Sequence, residues 1–215
     1  MTPTIAPLGE SALLLTFGDH VDRDIARQVR RAATALERAL ARFGIEVVPA
    51  WTSIALYYDR ARTAQDAVAE MALDALRRVP PAGDDLPPRR VEIPVRYDGP
   101  DLDYVAEQTG LTRTEVIDRH AGRTYYAYML GFAPGFAYLG DIDPALVLPR
   151  RSSPRVRLRA GSVAIGAAYT AVYPLPMPGG WHLIGSTTVA VFDATRDPAA
   201  LIAAGDEIRF VPIGQ

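Results

Sequence analysis

Apolar positions in the first third of the chain follow both sheet and helix spacing. Ala12 to Phe17 is a short apolar run that reads as a buried strand, with Gly18-Asp19-His20 as the turn after it. Ile25, Val29, Ala32, Leu36 and Leu40 then recur at helical spacing, with Arg27, Arg31 and Arg38 elsewhere on the surface. Asp22 is placed to cap that helix, which reaches about Arg42, and Gly44 is placed to end it. Ile45 to Val48 and Ser53 to Tyr58 read as strands joined across Pro49-Ala50-Trp51. Thr63 is the expected cap of a second helix that stops before Pro80 and carries Val68, Met71, Leu73 and Leu76. The order strand, helix, strand, strand, helix predicts an N-terminal α+β domain, ferredoxin-like, with helices on one face of an antiparallel sheet.

The pattern breaks at Pro80-Pro81-Ala82-Gly83-Asp84-Asp85-Leu86-Pro87-Pro88-Arg89-Arg90, where Pro, Gly and paired charges cannot form a packed element. Residues 1–82 are therefore read as one domain, 83–90 as a linker and 91–215 as a second domain. Val91 to Val95 is a further candidate strand. Asp101 to Gln108 and Thr112 to His120 read as short helices, the latter opened by the capping-box pattern Thr112-Arg113-Thr114-Glu115. From Thr124 onward short apolar runs alternate with Gly and Pro turns: Tyr125–Leu130, Phe136–Leu139, Ser162–Ile165, Thr170–Tyr173, Thr187–Phe192 and Glu207–Pro212. Such spacing predicts a mainly-β, closed or nearly closed barrel, with one late helix over Asp197 to Ala204.

Composition narrows the chemistry. With 215 residues, 49% of them hydrophobic, the chain can bury a sizeable core. A net charge of −2 implies no general attraction to nucleic acid or to an anionic membrane. The chain has no cysteine, which excludes disulfides, thiolate metal sites and a Cys nucleophile and fits a cytoplasmic setting. No signal peptide or membrane-spanning run is visible. Lysine is absent too, so a Walker A loop and Schiff-base chemistry are excluded. Any phosphate or carboxylate must be held by Arg, by backbone N–H groups or by a partner.

Two stretches concentrate turn-formers and aromatic rings. One is Gly131-Phe132-Ala133-Pro134-Gly135-Phe136-Ala137-Tyr138-Leu139-Gly140; the other is Pro174-Leu175-Pro176-Met177-Pro178-Gly179-Gly180-Trp181-His182. Pro134 fixes its own φ and makes Ala133 extended, so Phe132, Phe136 and Tyr138 should flank a turn of fixed geometry. Between the stretches lie Pro149-Arg150, Pro154-Arg155 and Ala160-Gly161-Ser162-Val163, and near the end Ala204-Gly205-Asp206-Glu207-Ile208-Arg209-Phe210. In this order these motifs resemble the 5-oxoprolinase B-subunit family, also called allophanate hydrolase subunit 1 or the sporulation-kinase inhibitor family, from about Leu8 to Pro212. Gly185-Ser186-Thr187 departs from the Gly-Arg-Thr usual there.

The resemblance implies an N-terminal α+β domain and a C-terminal cyclophilin-like barrel. It implies a component that works with C and A subunits in opening 5-oxoproline to L-glutamate with ATP, and Mg²⁺ is expected with the nucleotide. Other readings of the same resemblance are the carboxyltransferase part of a biotin-dependent urea or amide carboxylase, and a module that inhibits a sensor histidine kinase. Arg150 and Arg155 match the family's Pro-Arg pairs and are the candidate anion-binding residues, with Ser162 and Thr187 as hydroxyl donors. Arg157 and Arg159 fall outside the pattern. His182, a histidine in a loop rich in turn-formers, is the candidate catalytic residue. Phe132, Pro134, Gly135, Phe136, Tyr138, Pro178, Gly179, Gly180 and Trp181 are the expected wall of a pocket or interface. Asp141 and Asp143 read as a solvated turn, and no metal site is expected.

Overall fold

A computed structural model describes residues 2–79 and 87–214. They form two compact units, residues 1–87 and 88–215. Residues 83–86 of the expected linker lie outside the described residues, and the strand expected at Val91 already begins at Arg90.

The first unit is a four-stranded antiparallel sheet with two helices. Strands β1 (Thr4–Pro7), β2 (Ala12–Thr16), β3 (Glu46–Ala50) and β4 (Ser53–Tyr57) are ordered β1-β2-β4-β3. Helix α1 (Arg23–Leu40) is capped as its sequence predicts, Asp22 accepting from the N–H groups of Asp24 and Ile25. A 3₁₀ turn continues it to Gly44, which takes the left-handed conformation at φ +68°. Helix α2 (Gln65–Arg77) starts two residues after Thr63, which does not cap it: Ala64 holds the cap position and no side chain bonds there. The element order is ββαββα rather than the βαββαβ of a ferredoxin-like unit. The strand beside β2 comes from a hairpin ahead of it, which the sequence reading passed over because Thr4-Ile5-Ala6-Pro7 is short and contains a proline.

The second unit is a nearly closed barrel. Strands β5 (Arg90–Val95), β6 (Thr124–Leu130), β7 (Ala137–Gly140), β9 (Ser162–Gly166), β10 (Tyr169–Val172), β12 (His182–Ser186) and β13 (Glu207–Pro212) form one sheet in the order β12-β9-β10-β7-β6-β13-β5. Every pairing within it is antiparallel except β13 with β5. The two end strands meet where Arg96 and Ser186 exchange both backbone hydrogen bonds at 2.8 Å. Gly185 permits that closure, since a Cβ there would lie 2.6 Å from the Arg96 carbonyl oxygen. A separate two-stranded ribbon, β8 (Arg155–Leu158) with β11 (Met177–Gly179), completes the β structure.

Two expected elements are corrected. The strand placed at Thr187 to Phe192 lies earlier, as β12, and residues 187–191 are irregular. No helix forms over Asp197 to Ala204: Phe192 bridges Ala200, and the Asp197–Pro198 peptide is cis.

Alternation explains why β9 is buried along its whole length. Val163 and Ile165 face the barrel interior, while Ala164 faces a separate cluster with Ala171, Leu183, Phe136 and Trp181. Helices α3 (Leu102–Thr109) and α4 (Arg113–Ala121) share the interior core through Val105, Ala106, Val116 and Ile117. The capping box at Thr112 and Glu115 is present in full.

His120 of α4 is wholly buried and stacks on Phe210 at 4.6 Å. The Thr170 hydroxyl donates to the Ala164 carbonyl, so its oxygen accepts from His120 Nε2–H at 2.8 Å. His120 Nδ1 then accepts from the Tyr97 hydroxyl, also at 2.8 Å. Burial pushes the imidazole pKa down from 6.5 to about 3. In the unfolded chain the ring takes a proton near 6.5; in the fold it resists until near 3. Its contribution to stability is complete above pH 6.5 and is lost as pH falls towards 3, by up to about 1.4 kcal/mol per pH unit. Urea unfolding at pH 7.5 and 5.5 should therefore show a smaller acid-induced loss for His120→Gln than for the parent chain. Equal losses would mean that this ring is not the group responsible.

Candidate active site

Three segments far apart in sequence meet at one carboxylate. Asp101 stands just before α3 and is 4% exposed. Its Oδ2 accepts from Arg155 Nη1 at 2.8 Å and from the Leu183 N–H at 2.7 Å. Its Oδ1 accepts from Arg155 Nη2 at 2.7 Å and from Arg151 Nη1 at 3.0 Å. The backbone joins in, with the Asp101 N–H donating to the Leu183 carbonyl at 3.0 Å. Burial pushes the Asp101 pKa up. The Arg155 hydrogen bonds, the Leu183 N–H and the two guanidinium charges together outweigh burial and hold it below the usual carboxylate value.

Beside this clamp opens a cleft of about 410 Å³, within the size range of small-ligand sites. Tyr104 and Gln108 of α3 form one wall, residues 148–153 another, and His182 at the start of β12 closes it. His182 is 3% exposed and lies against Tyr104 with ring centroids 5.2 Å apart and planes 21° apart. Its Nε2–H donates to the Pro149 carbonyl at 2.9 Å, and its Nδ1 is buried with no hydrogen-bond partner among the described residues. Arg151 Nε is also buried and unpartnered. Arg150 is exposed, its guanidinium 5.9 Å from the Trp181 ring, and it makes no ion pair among the described residues.

The expected residues thus separate into three groups. Arg150 and His182 come together in the cleft, whereas Arg155 is committed to Asp101 in a forked, two-bond pair. Ser162 and Thr187 sit elsewhere. The β12–β9 register runs from His182 opposite Ile165 to Ser186 opposite Ser162, so Thr187 lies about 16 Å along the strand direction from His182. The Ser162 hydroxyl donates to the Arg159 carbonyl at 2.8 Å, and the Thr187 hydroxyl accepts from the Val189 N–H at 3.2 Å.

The aromatic stretches form a second core more than a wall. Phe136 and Trp181 are buried, edge-on to each other at 5.7 Å, and Tyr138 is half-buried against both. Gly179 is buried against Tyr173 and Leu158, and Gly135, at φ +76°, lies beneath Phe192. The half-buried Gly180 accepts the Arg151 N–H through its carbonyl. Phe132, Pro134 and Pro178 are exposed, Phe132 by 64% on a backbone at φ +71°. Asp101, Tyr104, Gln108 and Arg151 escaped the sequence reading. The signal for Asp101 was the crowd of arginines at 150–159, which needed an acid from another segment.

Among the described residues, no group of three or more His, Cys, Asp and Glu is placed to hold a metal ion. None of their helices is long and apolar enough to cross a membrane.

Residues 3–202 match the family described as "Carboxyltransferase domain, subdomain C and D". The chain is 39% identical to the 5-oxoprolinase B subunit of Bacillus subtilis, over 98% of this chain and 93% of that one. The solved structure TTHA0988 superposes with a TM-score of 0.84 at 39% identity, covering 95% of this chain but 40% of its own length. Urea carboxylase of Kluyveromyces lactis shares the fold, with a TM-score of 0.76 at 19% identity over 99% of this chain and 22% of that one.

The geometry separates residues that support the site from residues exposed to solvent. Trp181→Ala should cost about 3–5 kcal/mol of stability, as for other buried aromatic truncations. Asp101→Ala, which leaves Arg151 and Arg155 uncompensated, should cost a similar amount. Phe132→Ala should cost under about 1 kcal/mol. Denaturant melts of the three variants check this, and a Trp181→Ala chain as stable as its parent would contradict the packing described.

Proposed function

The chain belongs to the 5-oxoprolinase B-subunit family and is a component of a hydrolase-type enzyme; from that premise we propose that its cleft binds 5-oxoproline through the substrate carboxylate. The observation that carries this reading is the contrast between two arginines of matching motif. Arg155 is neutralised by Asp101, whereas Arg150 keeps its charge free at the mouth of the cleft containing His182. A guanidinium fork suits a two-oxygen anion, and the cleft has room for a five-membered ring with one carboxylate.

ATP is the proposed co-substrate of the complete enzyme. A triphosphate is poorly matched to this cleft, since a single unpaired guanidinium faces it. The nucleotide is therefore assigned to a surface supplied by partners, the C subunit lying beside this chain and the A subunit completing hydrolysis. The chain supplies substrate binding and orientation, which is where enzymes gain much of their rate advantage. A cytoplasmic location accompanies this reading.

Reconstitution tests it. The purified chain alone should release no glutamate from 5-oxoproline and ATP, and turnover should appear once the A and C subunits have been added. In that complex Arg150→Ala should raise the KM for 5-oxoproline by about one to two decades, the loss of one charge-assisted contact. Arg157→Ala, on the exposed ribbon, should change it less than twofold. Equal effects of the two substitutions would reject the carboxylate site.

A further inference from the structure

Helix α3 turns two side chains towards the cleft. Leu102, Val105 and Ala106 are buried in the barrel core, and Tyr104 and Gln108, one turn apart on the other face, line the cleft. Tyr104 is 46% exposed, with one face of its ring against His182. Gln108 is exposed and makes no hydrogen bond among the described residues. A neutral ligand group that both donates and accepts is matched by a side chain that does both at once. The other polar side chains of the cleft do not meet that requirement. Arg150 and Arg151 only donate. His182 has one ring nitrogen bonded to the Pro149 carbonyl and the other buried. The two serines of the loop and Tyr104 each offer a single hydroxyl. Among the lining side chains, Gln108 alone carries an N–H donor and a carbonyl acceptor side by side.

Resting on the reading of the cleft above, we propose that Gln108 is the specificity-determining residue for the lactam. Its Oε1 accepts the ring N–H and its Nε2–H donates to the ring carbonyl, two antiparallel hydrogen bonds made by one side chain. A five-membered ring holds its amide cis, so the N–H and C=O leave on the same side, and a primary amide matches that edge. Both contacts belong to one amide group, so no second residue has to be in register with it. Gln108 is also solvent-accessible, so a ligand entering the open cleft reaches it without any rearrangement of the core. The open-chain product, L-glutamate, has no such edge, and the same contact therefore favours substrate over product. Helix α3 is anchored at its start by the Asp101 clamp, which also holds Arg151 of the loop that forms another wall. Arg150 supplies the charge for the carboxylate, and Gln108 supplies the discrimination at the amide.

The test compares 5-oxoproline with its lactone analogue, 5-oxotetrahydrofuran-2-carboxylate, which keeps the ring, the carbonyl and the carboxylate but has an oxygen in place of the N–H. Against Gln108 that oxygen sets a lone pair opposite Oε1 instead of a proton. The chain is assembled with the A and C subunits, and binding of each ligand is measured by calorimetry without ATP. The parent complex should bind the lactam about tenfold more tightly than the lactone, one hydrogen bond's worth. Gln108→Met, of similar length and helix propensity, should bind the two alike, with its melting midpoint unchanged as for other exposed helix positions. Arg150→Ala should weaken both ligands by the same factor and leave their ratio unchanged. A role of Gln108 in stability alone would move the melting midpoint and not the ratio. Equal binding of lactam and lactone to the parent complex, or a lactam preference that survives Gln108→Met, overturns the assignment of Gln108 while leaving the carboxylate site standing. If Arg150→Ala alters neither affinity, the reading of the cleft itself fails and the assignment with it.

Discussion

The carboxylate of Asp101 is the constraint on which the candidate site depends. A buried anion is costly unless charge and hydrogen bonds surround it. Here four donors do so: two from Arg155, one from Arg151 and one from the backbone of Leu183. Those donors come from the arginine-rich loop, ribbon strand β8 and barrel strand β12, and the acid itself opens α3. One side chain thereby fixes every wall of the cleft. The same interaction divides the labour among the arginines, since Arg155 satisfies the acid and Arg150 is left with its charge available.

Packing adds a second level of order. The sheet around β9 is filled on both faces, by the barrel interior on one side and by the Phe136–Trp181 cluster on the other. The glycines and prolines of the two motif stretches make that outer cluster possible. Gly166 lies directly under the Trp181 indole, where a Cβ would come within 2.6 Å of the ring. Trp181 in turn lies beneath Arg150 and directly precedes His182 in the chain. The aromatic core is thus a foundation for the cleft, with Phe132 at its exposed rim.

Local features were legible in the sequence to the extent that their causes are local. Asp22 and Thr112 cap their helices as read, because a cap needs only a side chain and the next two or three N–H groups. The short barrel strands were legible for the same reason, through their apolar runs between turns. Thr63 misled because the chain forms a turn on Asp59 before the helix starts, with Thr63 N–H bonded to the Asp59 carbonyl. The stretch after Thr187 misled because Val189, Val191 and Phe192 look like a strand but have no neighbouring strand to pair with, apart from the bridge to Ala200. In the site, the motif arginines and His182 were visible. Their separation into a paired Arg155 and a free Arg150 was not, because Asp101 lies some fifty residues away and no sequence spacing links them. The inner His120 network was hidden likewise, since its partners Tyr97 and Thr170 are brought together only by the barrel.

The parallel pairing of β13 with β5 has a consequence for how the chain is made. Residue 207 lies opposite residue 90, and every rung up to Pro212 opposite Val95 joins positions 117 apart. Loop closure over such a span is entropically costly before any contact rewards it, so topologies of this kind fold slowly. On a ribosome, β5 emerges early and waits without a pairing partner until almost all of the barrel has followed it. During that interval Val91, Ile93 and Val95 form an apolar strand with nothing beside it, the situation in which nascent chains associate wrongly. Arg89 just before that strand, and Arg90, Glu92 and Pro94 within it, are residue types that disfavour capture of such an edge by another copy.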